Sequence, residues 1–462
     1  MIVVRPGNSI NGELGMGFRY TIPGDKSISH RAALLGALAD GESVYENFLV
    51  SGVTTVMLNA LSETGVTWEL ADKTLFISGV GIKSRRKNIK FEQKMVRIEC
   101  GNSATTMRLL AGALPTMGIR AVLDGSPGLR KRPMTRIVKP LSEMGVLIKD
   151  TNGCAPLYIE KSKQPIKAFS YELPIASAQV KSCLLLAALS ADGTTELSEP
   201  GPSRDHTERM LKGMGVMVEK DFYEGVDLKD GIHWKRYITR LKPAELMSLK
   251  PLKLTIPGDI SAASFLITAA LICKESELKI QGVGINPTRT GLLDVLIEMG
   301  ADIRIENERI AGGEPVGDIT VRSSKLEGVK VTGSKVVRMI DEFPILAIAA
   351  AYAKGITDIS GASELRYKET DRISSLCQEI RKIGIEVDEK PDGFTIKGSR
   401  PVGDTTINPH GDHRLAMAFT IAGLESQNPI YVSNPEIVDE SFPEFFAILK
   451  QFGAVIEVEN NN

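Results

Sequence analysis

One hydropathy pattern recurs along the chain: a helical stripe of apolar residues, a glycine, then apolar and polar residues in alternation. It reads LSETGVTWE at 61–69, LSEMGVLIK at 141–149, LKGMGVMVE at 211–219, LIEMGADIR at 296–304, IRKIGIEVD at 380–388 and LKQFGAVIE at 449–457. The stripe predicts a helix, the glycine its left-handed C-terminal residue, and the alternation a strand. Upstream of each copy lies a second helical stretch, apolar on nearly every face and opening on polar residues. These stretches are KSISHRAALLGAL, NSATTMRLLAGAL, SAQVKSCLLLAAL, SAASFLITAAL, DEFPILAIAAAYA and DHRLAMAFTIAG. Helices of that kind belong in a domain interior.

Short β-type runs such as ESVYENFLV and TTELSEP separate the two helices of each copy, and hairpin-like pairs such as VTWELADKTLFIS and IEVDEKPDGFTIKG follow the glycine. The unit therefore reads strand–helix–strand–helix–strand–strand, six times over. The sixth copy ends with one strand after its glycine, and spare strand material, including FRYTIP, precedes the first copy. The simplest closure lets the N-terminal segment complete the last unit. The turn TIPGD occurs twice, at 21–25 and 255–259, and marks two crossings of the chain. The prediction is an α/β protein of two similar domains, each of three βαβαββ units. One domain spans 23–254, and the other is discontinuous, 1–22 with 255–462.

Composition narrows the function. The 462 residues are too many for one ordinary core, and the formal net charge of −1 has no basic arm or acidic tail behind it. Attraction to nucleic acid or an anionic membrane is not expected, so any anion site must be a local cluster. Runs of about 18 apolar residues that could span a bilayer are absent. Five cysteines, at 100, 154, 183, 273 and 377, form no CxxC pair, which suits reduced thiols. The start, MIVVRPGNSING, has neither signal-peptide nor transit-peptide character. A cytoplasmic protein, and a monomer, is expected.

The candidate chemistry lies at helix openings and turns. Buried helix N-termini present unpaired N–H groups that attract anions. Cations placed there, at Lys26, Arg31, Arg108, Lys181, His413 and Arg414, oppose the helix dipole and call for an anionic partner. Turns add GSPGLRKRPM with Arg130, Lys131 and Arg132; EPGPSRDHTE with Arg204, Asp205 and His206; SELRYKETDR with Lys368, Glu369 and Arg372; and MIDEFP with Asp341 and Glu342. Taken singly, each arginine reads as a salt bridge and KETDR as a solvated charge run. HGDH at 410–413 has a metal-like look but no third ligand, GELGMG lacks dinucleotide spacing, and no GxxxxGK[ST] loop exists. Together, several guanidinium forks with two carboxylates suit phosphate and carboxylate chemistry without a metal.

Taken jointly and in order, PGDKSISHRA, GNSATTMRLLAG, KRPM, SAQVKS, RDHTE, DEFP, KETDR, GDHR and SFPEF resemble the 5-enolpyruvylshikimate-3-phosphate (EPSP) synthases, over essentially the whole chain. The resemblance implies an inside-out α/β barrel in each domain and an active site in the interdomain cleft. It also implies enolpyruvyl transfer from phosphoenolpyruvate to the 5-hydroxyl of shikimate-3-phosphate, without metal or organic cofactor. Carried over by motif, Lys26, Ser27, Arg31, Ser177, Ala178, Gln179, Arg204, Asp341 and Lys368 would bind shikimate-3-phosphate. Lys26, Asn102, Ala104, Arg132, Gln179, Arg372 and Arg414 would bind phosphoenolpyruvate. Asp341, Glu369 and Lys26 would be catalytic, with Asp341 deprotonating the 5-hydroxyl and the Lys368–Glu369 pair beside the reacting methylene.

Some positions depart from the family pattern. Glu440 stands where the family often has lysine, Ala104 where many members have glycine, and Leu109 where many have proline. The last two, with RDHTE, resemble the glyphosate-tolerant branch. Two rival readings compete with the EPSP synthase reading. Enolpyruvyl transferases acting on a UDP-linked amino sugar place a cysteine before their Arg-Pro pair, and GSPGLRKRP contains none. A non-catalytic phosphometabolite-binding protein would gain nothing from keeping both Asp341 and Glu369.

Overall fold

A computed structural model describes residues 1–82, 95–226, 233–243 and 248–458. The chain forms two compact units, one of Lys26–Ile256 with Ala311–Glu314, the other of Met1–Asp25, Pro257–Ile310 and Pro315–Asn462. They are called the continuous and the split unit below. Each has its own apolar core.

The described strands form six four-stranded sheets of one design. In the second repeat, Val96–Glu99 runs parallel to Ala121–Asp124, which pairs antiparallel with Cys154–Glu160, itself the hairpin partner of Leu147–Thr151. The helix Ala104–Met117 links the first two strands, and Thr135–Glu143 precedes the hairpin. Each of the six recurring glycines does end its helix in a left-handed conformation, with φ of 77° at Gly65, 85° at Gly145, 90° at Gly215, 95° at Gly300, 82° at Gly384 and 108° at Gly453.

The all-apolar stretches are the central helices Lys26–Leu38, Ala104–Met117 and Ala178–Ala188 of the continuous unit, and Ile260–Ile272, Phe343–Tyr352 and His413–Gly423 of the split unit. Every residue of Ile260–Ile272 except the last is buried, as its lack of a polar face requires. Among the described residues, no helix is long and apolar enough to cross a membrane.

Closure of the repeats differs from the sequence expectation in one respect. Ile2–Val4 completes the sixth sheet, between Ile430–Val432 and Ile456–Val458. FRYTIP, read from sequence as strand material, forms no strand. The edge strand of the first repeat is Lys253–Thr255, parallel to Val44–Glu46, and Asn11–Leu14 instead edges the fourth repeat beside Glu277–Ile280. Each unit is thus closed by the segment that leads out of it.

Candidate active site

In the continuous unit, the candidate residues gather where the three central helices begin. Ser103 caps Ala104–Met117 by accepting from Thr106 N at 3.2 Å, and Ser177 caps Ala178–Ala188. Both are the side-chain oxygens that helix starts favour. Lys26, Ser27, Asn102, Arg132, Ser177, Ala178, Gln179 and Arg204 are half-buried, whereas Arg31 and Ala104 are buried. Arg204 Nη1 donates to Ser27 Oγ at 3.2 Å, which joins the first and third repeats. Asn102 Oδ1 accepts from Ser126 Oγ at 3.2 Å, and Gln179 bridges Arg108 and Thr105, donating to the Thr105 hydroxyl at 2.9 Å.

The cations at helix openings prove to have partners within the protein. Arg31 donates to Thr207 Oγ1 at 2.7 Å, Ser182 Oγ at 2.8 Å and the Ser27 carbonyl at 2.9 Å. Lys181 is buried against two carboxylates, 2.6 Å from Glu199 and 2.9 Å from Glu208. Burial alone would pull its ammonium down, but the two carboxylates outweigh it and hold the group charged. The anion that the sequence called for at Lys181 is therefore supplied internally.

His30 is the opposite case. It is buried, with Nδ1 2.8 Å from the Lys26 carbonyl and Nε2 3.4 Å from Ser103 Oγ. Burial, with Lys26 and Arg31 nearby, lowers its pKa to about 4.

In the split unit, the turn carrying Asp341 lies between the short helix Ser334–Arg338 and Phe343–Tyr352. Asp341 Oδ1 is 3.3 Å from Lys368 Nζ and 3.4 Å from Arg372 Nη1. Arg372 opens the helix Arg372–Lys382, is 1% exposed, and donates to Glu369 Oε2 at 2.7 Å and to Asp412 Oδ2 at 2.7 Å. Its three carboxylate neighbours outweigh burial and hold it above its ordinary value. Arg414 Nη1 donates to the Asp341 carbonyl at 3.2 Å. One buried guanidinium thus spaces the two candidate acid–base carboxylates.

Asp412 was missed from sequence. It caps His413–Gly423 through Arg414 N at 2.9 Å and anchors Arg372 at the same time. The signal was the aspartate before the helix in GDHR. Glu440, at the departure from the family lysine, lies 3.2 Å from His413 Nδ1.

Among the described residues, one set of metal-type donors does converge, Asp205, His206 and Glu314, all buried, with donor atoms within 4.8 Å of one another. Protein side chains already engage these groups. Asp205 pairs with Lys220 and with Arg209 at 2.9 Å, which outweigh burial and hold it below the usual carboxylate range. Glu314 meets His206 at 2.8 Å. The arrangement reads as an ion-pair cluster.

Known proteins share this plan. The family model for EPSP synthase (3-phosphoshikimate 1-carboxyvinyltransferase) matches residues 4–449. A 3-phosphoshikimate 1-carboxyvinyltransferase of Petrotoga mobilis is 45% identical over 458 residues, covering 98% of this chain and 100% of the relative. One from Pelobacter propionicus is 44% identical over 453 residues, covering 98% of each. The structure of EPSP synthase from Acinetobacter baumannii superposes with a TM-score of 0.82 at 38% identity, covering 99% of both chains. The enolpyruvyl transferase NikO from Streptomyces tendae, at 18% identity and a TM-score of 0.72 over 99% of this chain and 98% of that one, shares the fold. The chain belongs to the EPSP synthase family.

Proposed function

We propose that the protein transfers the enolpyruvyl group of phosphoenolpyruvate to the 5-hydroxyl of shikimate-3-phosphate and releases phosphate, a step toward aromatic amino acids. The reaction joins the 5-oxygen to carbon 2 of phosphoenolpyruvate while carbon 3 gains a proton. Loss of a proton from carbon 3 and of phosphate from carbon 2 then restores the double bond. Two acid–base groups are needed, one for each proton. Asp341 takes the hydroxyl proton, and Glu369 gives and then recovers the proton at carbon 3.

The observation that carries this reading is the pair of half-buried carboxylates set around one buried arginine, at 3.4 Å and 2.7 Å from Arg372. Fixed cations at Lys368, Arg372 and Arg414 favour the charge of the tetrahedral intermediate without reorganising. Lys26, Ser27, Ser177, Ala178, Gln179 and Arg204 are assigned to shikimate-3-phosphate together with Asp341 and Lys368. Arg31, whose guanidinium also binds Ser27, Ser182 and Thr207, is assigned to the same substrate. Lys26, Asn102, Ala104, Arg132, Gln179, Arg372 and Arg414 are assigned to phosphoenolpyruvate. All come from one chain, so a monomer suffices, and the free thiols of all five cysteines suit the cytoplasm. Ala104 and Leu109, with RDHTE, support a place in the glyphosate-tolerant branch.

The test is phosphate release from phosphoenolpyruvate. Release strictly dependent on shikimate-3-phosphate is expected. Release driven instead by a UDP-linked amino sugar, or none with either acceptor, overturns the reading.

A further inference from the structure

The PGD ends of the two TIPGD turns, 23–25 and 257–259, meet inside the split unit. Gly24 and Gly258 form an antiparallel bridge. Asp25 N donates to the Pro257 carbonyl and Asp259 N to the Pro23 carbonyl, both at 2.8 Å. The two turns therefore hold each other reciprocally, and their aspartates converge on one side chain. Arg289, in the loop NPTRT before the helix Gly291–Glu298, donates from Nη1 to Asp25 Oδ2 at 2.7 Å and from Nη2 to Asp259 Oδ1 at 3.1 Å. It is 2% exposed.

The contact does not stop there. Arg289 Nη2 also donates to Ser261 Oγ at 2.8 Å, and that hydroxyl donates in turn to Glu342 Oε1. Glu342 is buried, directly follows Asp341, and its N–H closes the turn on the Met339 carbonyl at 2.9 Å. The side chain of Asp341 is held by Lys368 and Arg372, and its carbonyl by Arg414. Glu342 is also tied to this turn's surroundings: Arg414 lies 3.9 Å from its Oε1, and a shorter connection runs back through Ser261 to Arg289.

A buried guanidinium among carboxylates is a poor device for stability alone, because desolvation offsets much of the attraction and packed apolar groups often do as well. What such a network supplies is a defined geometry. A general base misplaced by about 1 Å can lose about a hundredfold in rate. We propose that Arg289 is a positioning residue for the transfer reaction: anchored on both TIPGD aspartates, it fixes through Ser261 and Glu342 the turn that presents Asp341, without touching substrate. The proposal rests on the assignment of Asp341 as the base.

The test compares purified full-length Ser261→Ala, Arg289→Lys and Asp341→Asn with the parent enzyme. Turnover per folded molecule, KM for both substrates and the thermal midpoint are measured for each. Ser261→Ala cuts the relay but leaves Arg289 both aspartates, so it separates positioning from support of the turns. It should lower kcat at least about tenfold with both KM values within about threefold, the split expected when only transition-state geometry is lost. Arg289→Lys should lose at least as much, since an ammonium cannot fork to two aspartates and a hydroxyl. Parent-like kcat in Ser261→Ala, or a loss that only tracks unfolded protein, overturns the proposal while an inactive Asp341→Asn leaves the base assignment standing. Near-normal turnover in Asp341→Asn removes the assignment, and the proposal with it.

Discussion

Asp341 and Glu369 touch protein cations at 2.7–3.4 Å, and neither is assigned as an anchor of a phosphate. Asp341→Asn and Glu369→Gln should each lower kcat by at least about a hundredfold, the usual scale for losing an acid–base group, with smaller effects on substrate affinity. Near-normal turnover in both variants would remove the mechanism. Ala104 makes a different kind of demand. It is the first residue of its helix and 4% exposed, so its methyl group sits in close packing where one carbon is felt. Phosphoenolpyruvate is shorter than glyphosate, and overpacking against the longer molecule costs about 1–3 kcal/mol. Weak inhibition by glyphosate is expected, and Ala104→Gly should lower the ratio of glyphosate inhibition constant to phosphoenolpyruvate KM. If that ratio is already low in the parent, or does not fall in the variant, Ala104 is not the filter. Residue types were legible in the sequence at these positions, because acid–base chemistry and helix openings restrict them. Partners were not, since nothing local distinguishes Arg31, committed to Thr207 and Ser182, from an arginine awaiting a ligand.

The helix Lys26–Leu38 lacks an acidic residue in its first turn yet holds His30 inside, against Lys26 and Ser103. With a folded pKa of about 4 and an unfolded value near 6.5, roughly that of a free imidazole, the unfolded chain binds more protons between those values. The stabilising effect is therefore complete above about pH 6.5 and is lost as pH falls toward about 4, at up to about 1.4 kcal/mol per pH unit. Urea midpoints measured at pH 7, 6 and 5 should fall less steeply in His30→Gln than in the parent. Identical slopes would mean that His30 is charged, or tolerated as such, in the folded protein. Helices and their ends were legible because capping serines, aspartates and C-terminal glycines act within a few residues.

At the scale of the whole molecule, closure depends on short strands that pair across hundreds of residues. Ile2–Val4 is buried between two partners. Burying each such aliphatic side chain contributes about 1.5–3 kcal/mol, and the strand also satisfies two ladders of backbone groups. Net protein stability is only about 5–15 kcal/mol. Removal of residues 1–5 should therefore unfold the sixth repeat, with protease cleavage concentrated in the split unit and a lower thermal midpoint. Parent-like resistance in the truncated chain would show that the strand is dispensable.

The six repeats, their central helices and their left-handed glycines follow from sequence alone, because periodicity, capping and the freedom of glycine at positive φ are local properties. The same holds for the positions of the candidate acid–base carboxylates and cations, which stand within recognisable motifs. Only the tertiary structure decided which segment closes each unit, since Lys253–Thr255 and Asn11–Leu14 are three and four residues long and too short to carry a period. It also decided the partners of the buried charges. Lys181 lies with Glu199 and Glu208, Arg372 with Asp412, and Arg289 with Asp25 and Asp259. A buried charge is satisfied by whatever lies nearest in space, and Asp25 lies 264 residues from Arg289.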